Sequence, residues 1–585
     1  MCGIFCSVAC TSKVERSYET LHNLENSLKR RGPDQHDKIE IEFDGQHLLL
    51  ASWVLHMRGS EFVPQPARSS SGNVLLWNGE LYAGFKVPKG VSDTEVVVQQ
   101  LEIQPNETSV ESIMSLMRGP WAFVYFQKTT KKLWFGRDYF GRRSLLLSYS
   151  QKNLIISSVA NRTFSEWIEI PPGVFCIDLN VIEDDIFSAL TAFPWISVTD
   201  KKPKISWDSK INLFANISSS INPPIPVCSE QKHHFRGNDA STDRRSSDVE
   251  AKPIEILVVN CEKKQLWPYC QALINKLRNA VEHRTQTLES WGNNCKVGIL
   301  FSGGIDCTVL ALLAHSVIEI TEPIELLNVA FESPKNKLQG KKSMQNNATK
   351  EVDYNVPDRI TGRNSYEELR NLCPNRTWKF VEINVTIKEL QHQRSQHISD
   401  LTYPKATVLD DSIACALWFA CRGETSGSPL GGAKDQYIAS SRILLCGMGA
   451  DEQLGGYSRH RGIFEKKHDW AEVQAEMDME IERIAERNLG RDDRILADHA
   501  REGLFPYLDE EVVGFLSSLP THLKADFHLP RGVGEKILLR GAAYILGLRG
   551  TAVFPKRAIQ FGSRIAKAES GREKGNDICT RLNRK

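Results

Sequence analysis

Three groups of residues in this chain have the types and spacing to do chemistry: a cysteine at position 2, a glycine turn at Ser302–Thr308, and a second one running into Asp451. If Met1 is removed, the thiol and the α-amine of Cys2 lie on one residue. An α-amine with a pKa of about 7.7 to 8.0 can then act as general base for that thiol near neutral pH. The plain alternative is that Cys2 is only a small residue near a chain start. Cys6 and Cys10 follow at steps of four, but no His or Cys pair with zinc spacing accompanies them. Downstream stand Arg31-Gly32-Pro33-Asp34, Gln65-Pro66, Asn78-Gly79-Glu80-Leu81-Tyr82 and Ser92-Asp93-Thr94-Glu95. A thiol that attacks the side-chain amide of an amino acid needs a carboxylate for the substrate ammonium and amide donors for the oxyanion. Asp93 suits the first task, and Asn78 with the Gly79 N–H suits the second.

In Phe301-Ser302-Gly303-Gly304-Ile305-Asp306-Cys307-Thr308, paired glycines, hydroxyls and a carboxylate meet at a helix start. Such a turn exposes successive backbone N–H groups to an anion, with the helix dipole adding to the field. Gly303 and Gly304 permit close approach, Ser302 and Thr308 can donate to phosphate oxygens, and Asp306 can hold magnesium. Leu444–Tyr457, with Gly447, Met448, Gly449, Ala450 and Asp451, repeats the pattern. Read singly, each is a tight turn with solvated acids. Together, Asp306 and Asp451 at two strand ends of one sheet can share a metal and clamp a pyrophosphate.

The elements that must position these residues are of two kinds. From Met1 to about Pro194, short apolar runs broken by turns (His47–Val54, Val74–Trp77, Trp121–Gln127, Lys132–Phe135, Leu145–Tyr149, Leu154–Ser158) predict a sandwich of sheets. Helical stretches at Tyr18–Lys29 and Thr94–Leu101 make it α+β. Residues 195–253 turn polar and read as a mobile linker, and 333–355 as a disordered insertion. Residues 254–570 form the second domain. Ile254–Val259, a helix around Trp267–His283, the strand Val297–Phe301, a helix from Cys307 to Ala314, then Leu326–Phe331 and Phe380–Ile383 alternate as in a doubly wound α/β parallel sheet. A helical part follows, and residues 571–585 form a basic tail expected to fray.

The chain has 585 residues, 41% of them hydrophobic, which is enough for two or more cores. Its 73 basic and 72 acidic residues nearly cancel, so charge does not suggest nucleic acid. No signal-like start or long apolar run points to a membrane, and scattered cysteines fit free thiols in a reducing, cytoplasmic setting.

With Cys2-Gly3-Ile4, Arg-Gly-Pro-Asp, Asn-Gly-Glu and Ser-Asp-Thr-Glu ahead of Ser-Gly-Gly-Ile-Asp, the chain resembles the glutamine-dependent asparagine synthetases. That resemblance covers nearly the whole chain apart from the linker and the insertion. It implies an Ntn-type amidotransferase sandwich (αββα) over residues 1–194 that frees ammonia from glutamine. A tunnel would lead the ammonia to an ATP-pyrophosphatase domain that adenylates aspartate and makes asparagine. Cys2 would be the nucleophile, Asn78 and Gly79 the oxyanion hole, and Asp93 a glutamine contact. Ser302, Gly303, Gly304, Asp306, Thr308 and Gly449 would bind ATP, with Asp306 and Asp451 as Mg2+ ligands. Tyr457 matches an active-site tyrosine, and Lys556 or Arg557 would stabilise the phosphates. Arg491-Asp492-Asp493-Arg494 and Pro506-Tyr507-Leu508-Asp509 match later family segments. The implied partners are glutamine, aspartate and ATP, and a homodimer is compatible with the resemblance.

The departures also carry information. Where the family places an arginine for the glutamine carboxylate, this chain has Val54; Arg58, four residues on, substitutes only if the strand is locally rearranged. Met448 stands where the family has a glutamate, and Cys307 where it has a serine. A thioether can neither take a proton nor hold an amine. Three readings therefore stand: an asparagine synthetase, an ATP-dependent amide ligase with another acceptor, and a degenerate homologue that binds without turnover. Because the thiol chemistry needs the free amine of Cys2, intact-mass measurement of the purified protein is expected to show Met1 absent; a retained or acetylated terminus rules that chemistry out.

Overall fold

The structure, a computed structural model, describes residues 2–10, 14–103, 109–150, 153–162, 166–181, 186–198, 201–204, 216–226, 251–286, 295–332, 352–425, 437–568, 576–579 and 582. The N-terminal half is two stacked sheets. The first runs Ile168–Glu169, Leu146–Ser150, Asn153–Ser157, Gly3–Cys10, Gln46–Val54, Gln35–Phe43, all antiparallel. The second runs Asn216–Ile217, Leu190–Pro194, Gly173–Asp178, Lys132–Arg137, Trp121–Gln127, Val74–Gly79, Ala67–Arg68. Side chains alternate across a strand. Ile4, Cys6 and Val8 therefore enter the core between the sheets with Leu76, Val124 and Phe135, while Phe5 faces outward to Leu24 and Leu28 of the helix Val14–Arg31. On the far side, Val97 and Leu101 of the helix Asp93–Ile103 share a core with Leu75, Trp77 and Phe123. The result is four layers, with helices outside two sheets.

The C-terminal half holds one sheet in the order Trp378–Val385, Ile324–Phe331, Val297–Leu300, Ile443–Leu445, Glu502–Leu504, every pair parallel. The chain winds outward one way from Val297–Leu300 and the other way from Ile443–Leu445. The order thus reverses between these two neighbours, which is where open parallel sheets bind ligands. Both glycine turns leave the carboxyl ends of these two strands.

Several expectations are corrected. Ile254–Val259 lies within the helix Pro253–Lys263, whose buried Leu257 and Cys261 are one turn apart. Within the stretch read as a linker, Asn216–Ile217 adds a strand to the second sheet, and Trp195, Ile221 and Ile225 are buried in its core. Residues 227–250 and 333–351 lie outside the described residues. The described part of the tail is anchored rather than frayed: Cys579 is buried and its N–H donates to Ala406 O at 2.6 Å, the Val408 N–H donates to Asp577 O at 3.1 Å, and Leu582 is buried. The strands Gly3–Cys10, Gln35–Phe43 and Gly173–Asp178 were absent from the sequence reading. Among the described residues the cysteines are free thiols, and no helix is long and apolar enough to cross a membrane.

The two halves meet through buried ion pairs. Arg31 Nη2 lies 2.8 Å from Asp493 Oδ2, both side chains fully buried, and the Ser144 N–H donates to the same oxygen at 3.0 Å. Arg143 is paired with Glu502 and lies 3.6 Å from Asp493, while Arg142 Nη2 is 2.6 Å from Glu510. Burial works against the Asp493 carboxylate, but Arg31 and Arg143 overcome it and hold its pKa below the usual range. Asp493→Ala leaves the buried Arg31 guanidinium without its carboxylate, while Arg143 keeps Glu502, and is expected to lower stability by about 3–5 kcal/mol, read as an earlier urea midpoint. Because the folded pKa is depressed, this stabilisation is fully present above the unfolded value of about 3.9 and is lost as pH falls through the folded one. The difference between parent and variant should therefore shrink in acid.

Candidate active sites

Cys2 opens the central strand of the first sheet, and Asn78-Gly79 ends a strand of the second, so the sandwich brings them together at one edge. The Cys2 N–H donates to Asn78 Oδ1 at 2.9 Å, and Gln65 Nε2 lies 3.9 Å from Cys2 Sγ. Asn78 is fully buried, and its Nδ2 has no partner among the described residues. An orphan amide donor costs stability of about 1–3 kcal/mol, so a buried one beside a thiol is a vacancy with a use. Burial pushes the Cys2 thiol above its ordinary pKa.

A cavity of about 40 Å³ lies over Cys2, walled by Val54, Arg58, Asn78, Gly79, Glu80, Asp93 and, from the other half, Glu502. Asp93, at the start of its helix, accepts from the N–H groups of Thr94 (2.9 Å) and Leu81 (3.2 Å). Burial raises its pKa, with Arg58 opposing. The strand that carries Val54 stops there, and the chain beyond it brings Arg58 to the cavity wall. Arg58 Nη1 donates to Leu81 O at 2.8 Å, so Arg58 and Asp93 grip opposite sides of one residue and leave a cation and an anion facing one small space. Arg31 and Asp34 serve elsewhere. Arg31 enters the ion network between the halves, and Asp34 pairs with Arg442 at 2.8 Å. Gly32 is required because a Cβ there would collide with the Trp53 carbonyl.

The second site is a cavity of about 380 Å³ at the reversal point of the parallel sheet. Ser302, Gly304, Asp306, Gly447, Met448, Asp451, Tyr457, Lys556 and Arg557 line it. The turns are close enough that a Cβ on Gly447 would lie 2.9 Å from the Asp306 Cβ. Lys536 Nζ sits between the acids, 2.7 Å from Asp306 Oδ1 and 2.6 Å from Asp451 Oδ1, and Lys556 also pairs with Asp451. Burial alone would raise Asp451, but the two lysines hold it well below the carboxylate range. Tyr457 OH donates to Glu452 Oε1 at 2.6 Å, and burial together with Asp451 raises the Glu452 pKa. Arg557 donates to Thr361 Oγ1 at 3.4 Å, near Asp358, whose pKa burial pushes up to about 7.

Some expected phosphate contacts fall away. Thr308 is fully buried, and its hydroxyl donates to Gly304 O at 2.8 Å, so it does not face the cavity. Gly303 has φ +78 and packs against Gly362, where any side chain would collide, and it is not among the residues lining the cavity. Gly449, at φ +94, spends its N–H on Glu452 Oε2 at 3.1 Å. Cys307 keeps its thiol on Gly304 O at 3.2 Å, and burial raises its pKa to about 11. Lys536 was missed by sequence reading. Its only signals are the flanking glycines of Gly532-Val533-Gly534-Glu535-Lys536 and, in the structure, a φ of +56 unusual for lysine.

Comparison with known proteins identifies a chain that joins a glutamine amidotransferase domain to an asparagine synthase domain. The sequence signature of glutamine amidotransferase domains matches residues 1–169, and that of asparagine synthase matches 462–548, a span that includes Lys536 but neither glycine turn. The chain is 39% identical to asparagine synthetase domain-containing protein 1 of Gallus gallus, over 100% of both chains. It is 33% identical to an asparagine synthetase domain-containing protein of Drosophila melanogaster, over 99% of this chain and 100% of that one. The chain belongs to the family of asparagine synthetase domain-containing proteins. If the free Asn78 Nδ2 receives an oxyanion, Asn78→Ala should lower kcat for glutamine hydrolysis by about 10²–10³ with KM little changed; an unchanged kcat would remove Asn78 from that role.

Proposed function

We propose that the protein is a glutamine-dependent, ATP-cleaving amide ligase built on the asparagine synthetase plan. The observation that carries this reading is the pairing of two intact constellations across one buried interface: Cys2 with an unpartnered amide donor, and two carboxylates converging at the reversal point of a parallel sheet. In the first, the α-amine of Cys2 takes the thiol proton and the sulfur attacks the glutamine amide; the C–N bond breaks, ammonia leaves with that proton, and water hydrolyses the thioester to glutamate. Asn78 Nδ2 holds the oxyanion, Asp93 takes the ammonium, and Arg58 takes the carboxylate that Val54 cannot. In the second, Lys536, Lys556 and Arg557 hold the phosphates of ATP.

A magnesium ion fits the same place. Asp306 and Asp451 approach one ammonium group to 2.7 and 2.6 Å, so they already define a cation position between them. These two acids would hold Mg2+, completed by phosphate oxygens, and the ion would neutralise charge on the leaving pyrophosphate. The acceptor carboxylate displaces pyrophosphate from the α-phosphorus and becomes an acyl adenylate. Ammonia then displaces AMP, giving an amide and a proton. Glu452, with its raised affinity for protons, is the cavity acid suited to receive that proton. Aspartate as the acceptor rests on resemblance alone, and Met448 in the cavity wall favours an amide ligase with another acceptor. A cytoplasmic site of action belongs to the same reading.

The test is pyrophosphate release with ATP, magnesium and either glutamine or ammonium. Cys2→Ala should abolish the glutamine-supported rate and spare the ammonium-supported one. Loss of a charge-assisted pair in Arg58→Ala should raise the glutamine KM about 10- to 100-fold. If Cys2→Ala leaves glutamine as effective as ammonium, or if no acceptor elicits pyrophosphate from the parent, the reading fails.

A further inference from the structure

The large cavity has two apolar strips, on a strand pair and on a helix, that share one core. Leu300, Leu327 and Val329 form one, at the ends of the first two strands beside Asp358. The other is a stripe on the helix Val408–Arg422, where Leu409, Ile413, Leu417 and Ala420 recur every three or four residues and face the cavity. Met448 and Ile484 extend that stripe. If a nucleotide base stacks on the strand ends, the helix stripe is the apolar wall that remains for the acceptor.

Aspartate would need, beyond its reacting carboxylate, a free cation and a free anion near that second strip. Apart from Lys556 and Arg557, assigned above to the phosphates, the charged groups there have partners. Arg491 Nη2 lies 2.8 Å from Asp492 and Arg491 is also paired with Asp410, with the Arg491 and Asp492 side chains buried. Arg459 is paired with Glu480 and lies 3.4 Å from Glu476, and Arg487 lies 3.9 Å from the same Glu480. Glu452 is engaged by Tyr457 and, at 3.4 Å, by Asn488. Binding a second carboxylate would mean breaking a partly buried pair, whereas an apolar chain gains by covering the stripe.

Resting on the ligase reading above, we propose that the acceptor of this site is a carboxylate whose body is aliphatic, converted to its primary amide. The carboxylate oxygen bonds the α-phosphorus of ATP as the α–β phosphoanhydride bond breaks. Pyrophosphate leaves with that electron pair, ammonia replaces AMP at the acyl carbon, and one proton is released. Met448 packs against the chain where an acid would repel it.

The experiment uses the full chain with ATP, magnesium and labelled pyrophosphate, measuring exchange of label into ATP. The acceptors offered are aspartate, glutamate and straight-chain carboxylates from acetate to octanoate. Exchange efficiency is expected to rise about fourfold per added methylene until the stripe is covered. Ile413→Asp should flatten that rise, and Met448→Glu should shift preference toward aspartate. Titration calorimetry of octanoate against the protein loaded with non-cleavable α,β-methylene-ATP should show the same dependence without turnover. Preference for aspartate or glutamate over every straight-chain acid overturns the acceptor class and leaves the ligase reading standing. Absence of exchange with every acid, together with no octanoate binding, overturns both.

Discussion

A buried ion pair, Arg31 with Asp493, fixes how the two halves of the chain stand to one another. Two charges in a low-dielectric interior are tolerated only where geometry and further hydrogen bonds offset desolvation. Here further contacts supply part of the offset: Asp493 also takes the Ser144 N–H and lies near Arg143, while Arg31 Nε reaches Cys2 O at 3.4 Å. One side chain thus touches the backbone of Cys2 and the acid of the opposite half. Asp492, the residue before that acid, lines the larger cavity, so this contact ties the two cavities to one interface.

The acid-tipped turns follow a different economy. Asp306 and Asp451 face each other across a short gap with Lys536 between them, and Lys536 with Lys556 holds the Asp451 carboxyl well below the usual carboxylate range. Lys536 reaches that position with a backbone conformation that lysine seldom adopts, which its neighbours must hold in place. Its Nζ contacts both acids at once, so ligand charge arriving there can be met without rebuilding the site.

The strands that alternate with clean turns were legible from the residues, as Trp121–Gln127 and the strand from Val297 illustrate. Gly3–Cys10 was not, because it is buried on both faces and shows no alternation of polarity, and Gln35–Phe43 was not, because its exposed edge position makes it polar. The motif acids Asp306 and Asp451 could be paired in advance because both follow apolar strand-like runs into glycines. Thr308 was misjudged for a reason that spacing hides: one turn into a helix, its hydroxyl is satisfied by the carbonyl four residues back. Lys536 and Asp358 come from distant segments joined only by the tertiary fold. Arg58 was visible as a candidate, but only the end of the strand at Val54 shows how it arrives.

The wall that Glu502 lends to the cavity over Cys2 has a consequence for how the molecule can be divided. Glu502 opens the last strand of the parallel sheet, paired with Arg143 of the sandwich, and sits some five hundred residues after the cysteine it overlooks. The thiol pocket is therefore not the property of a module that can be cut out or grafted. It is finished late, by the partner half, and a nascent chain that has made only the sandwich has the nucleophile but an open room around it. Recombination that exchanged one half for a distant relative's would have to carry this carboxylate and its guanidinium together, which makes the pair a unit of inheritance spanning two domains.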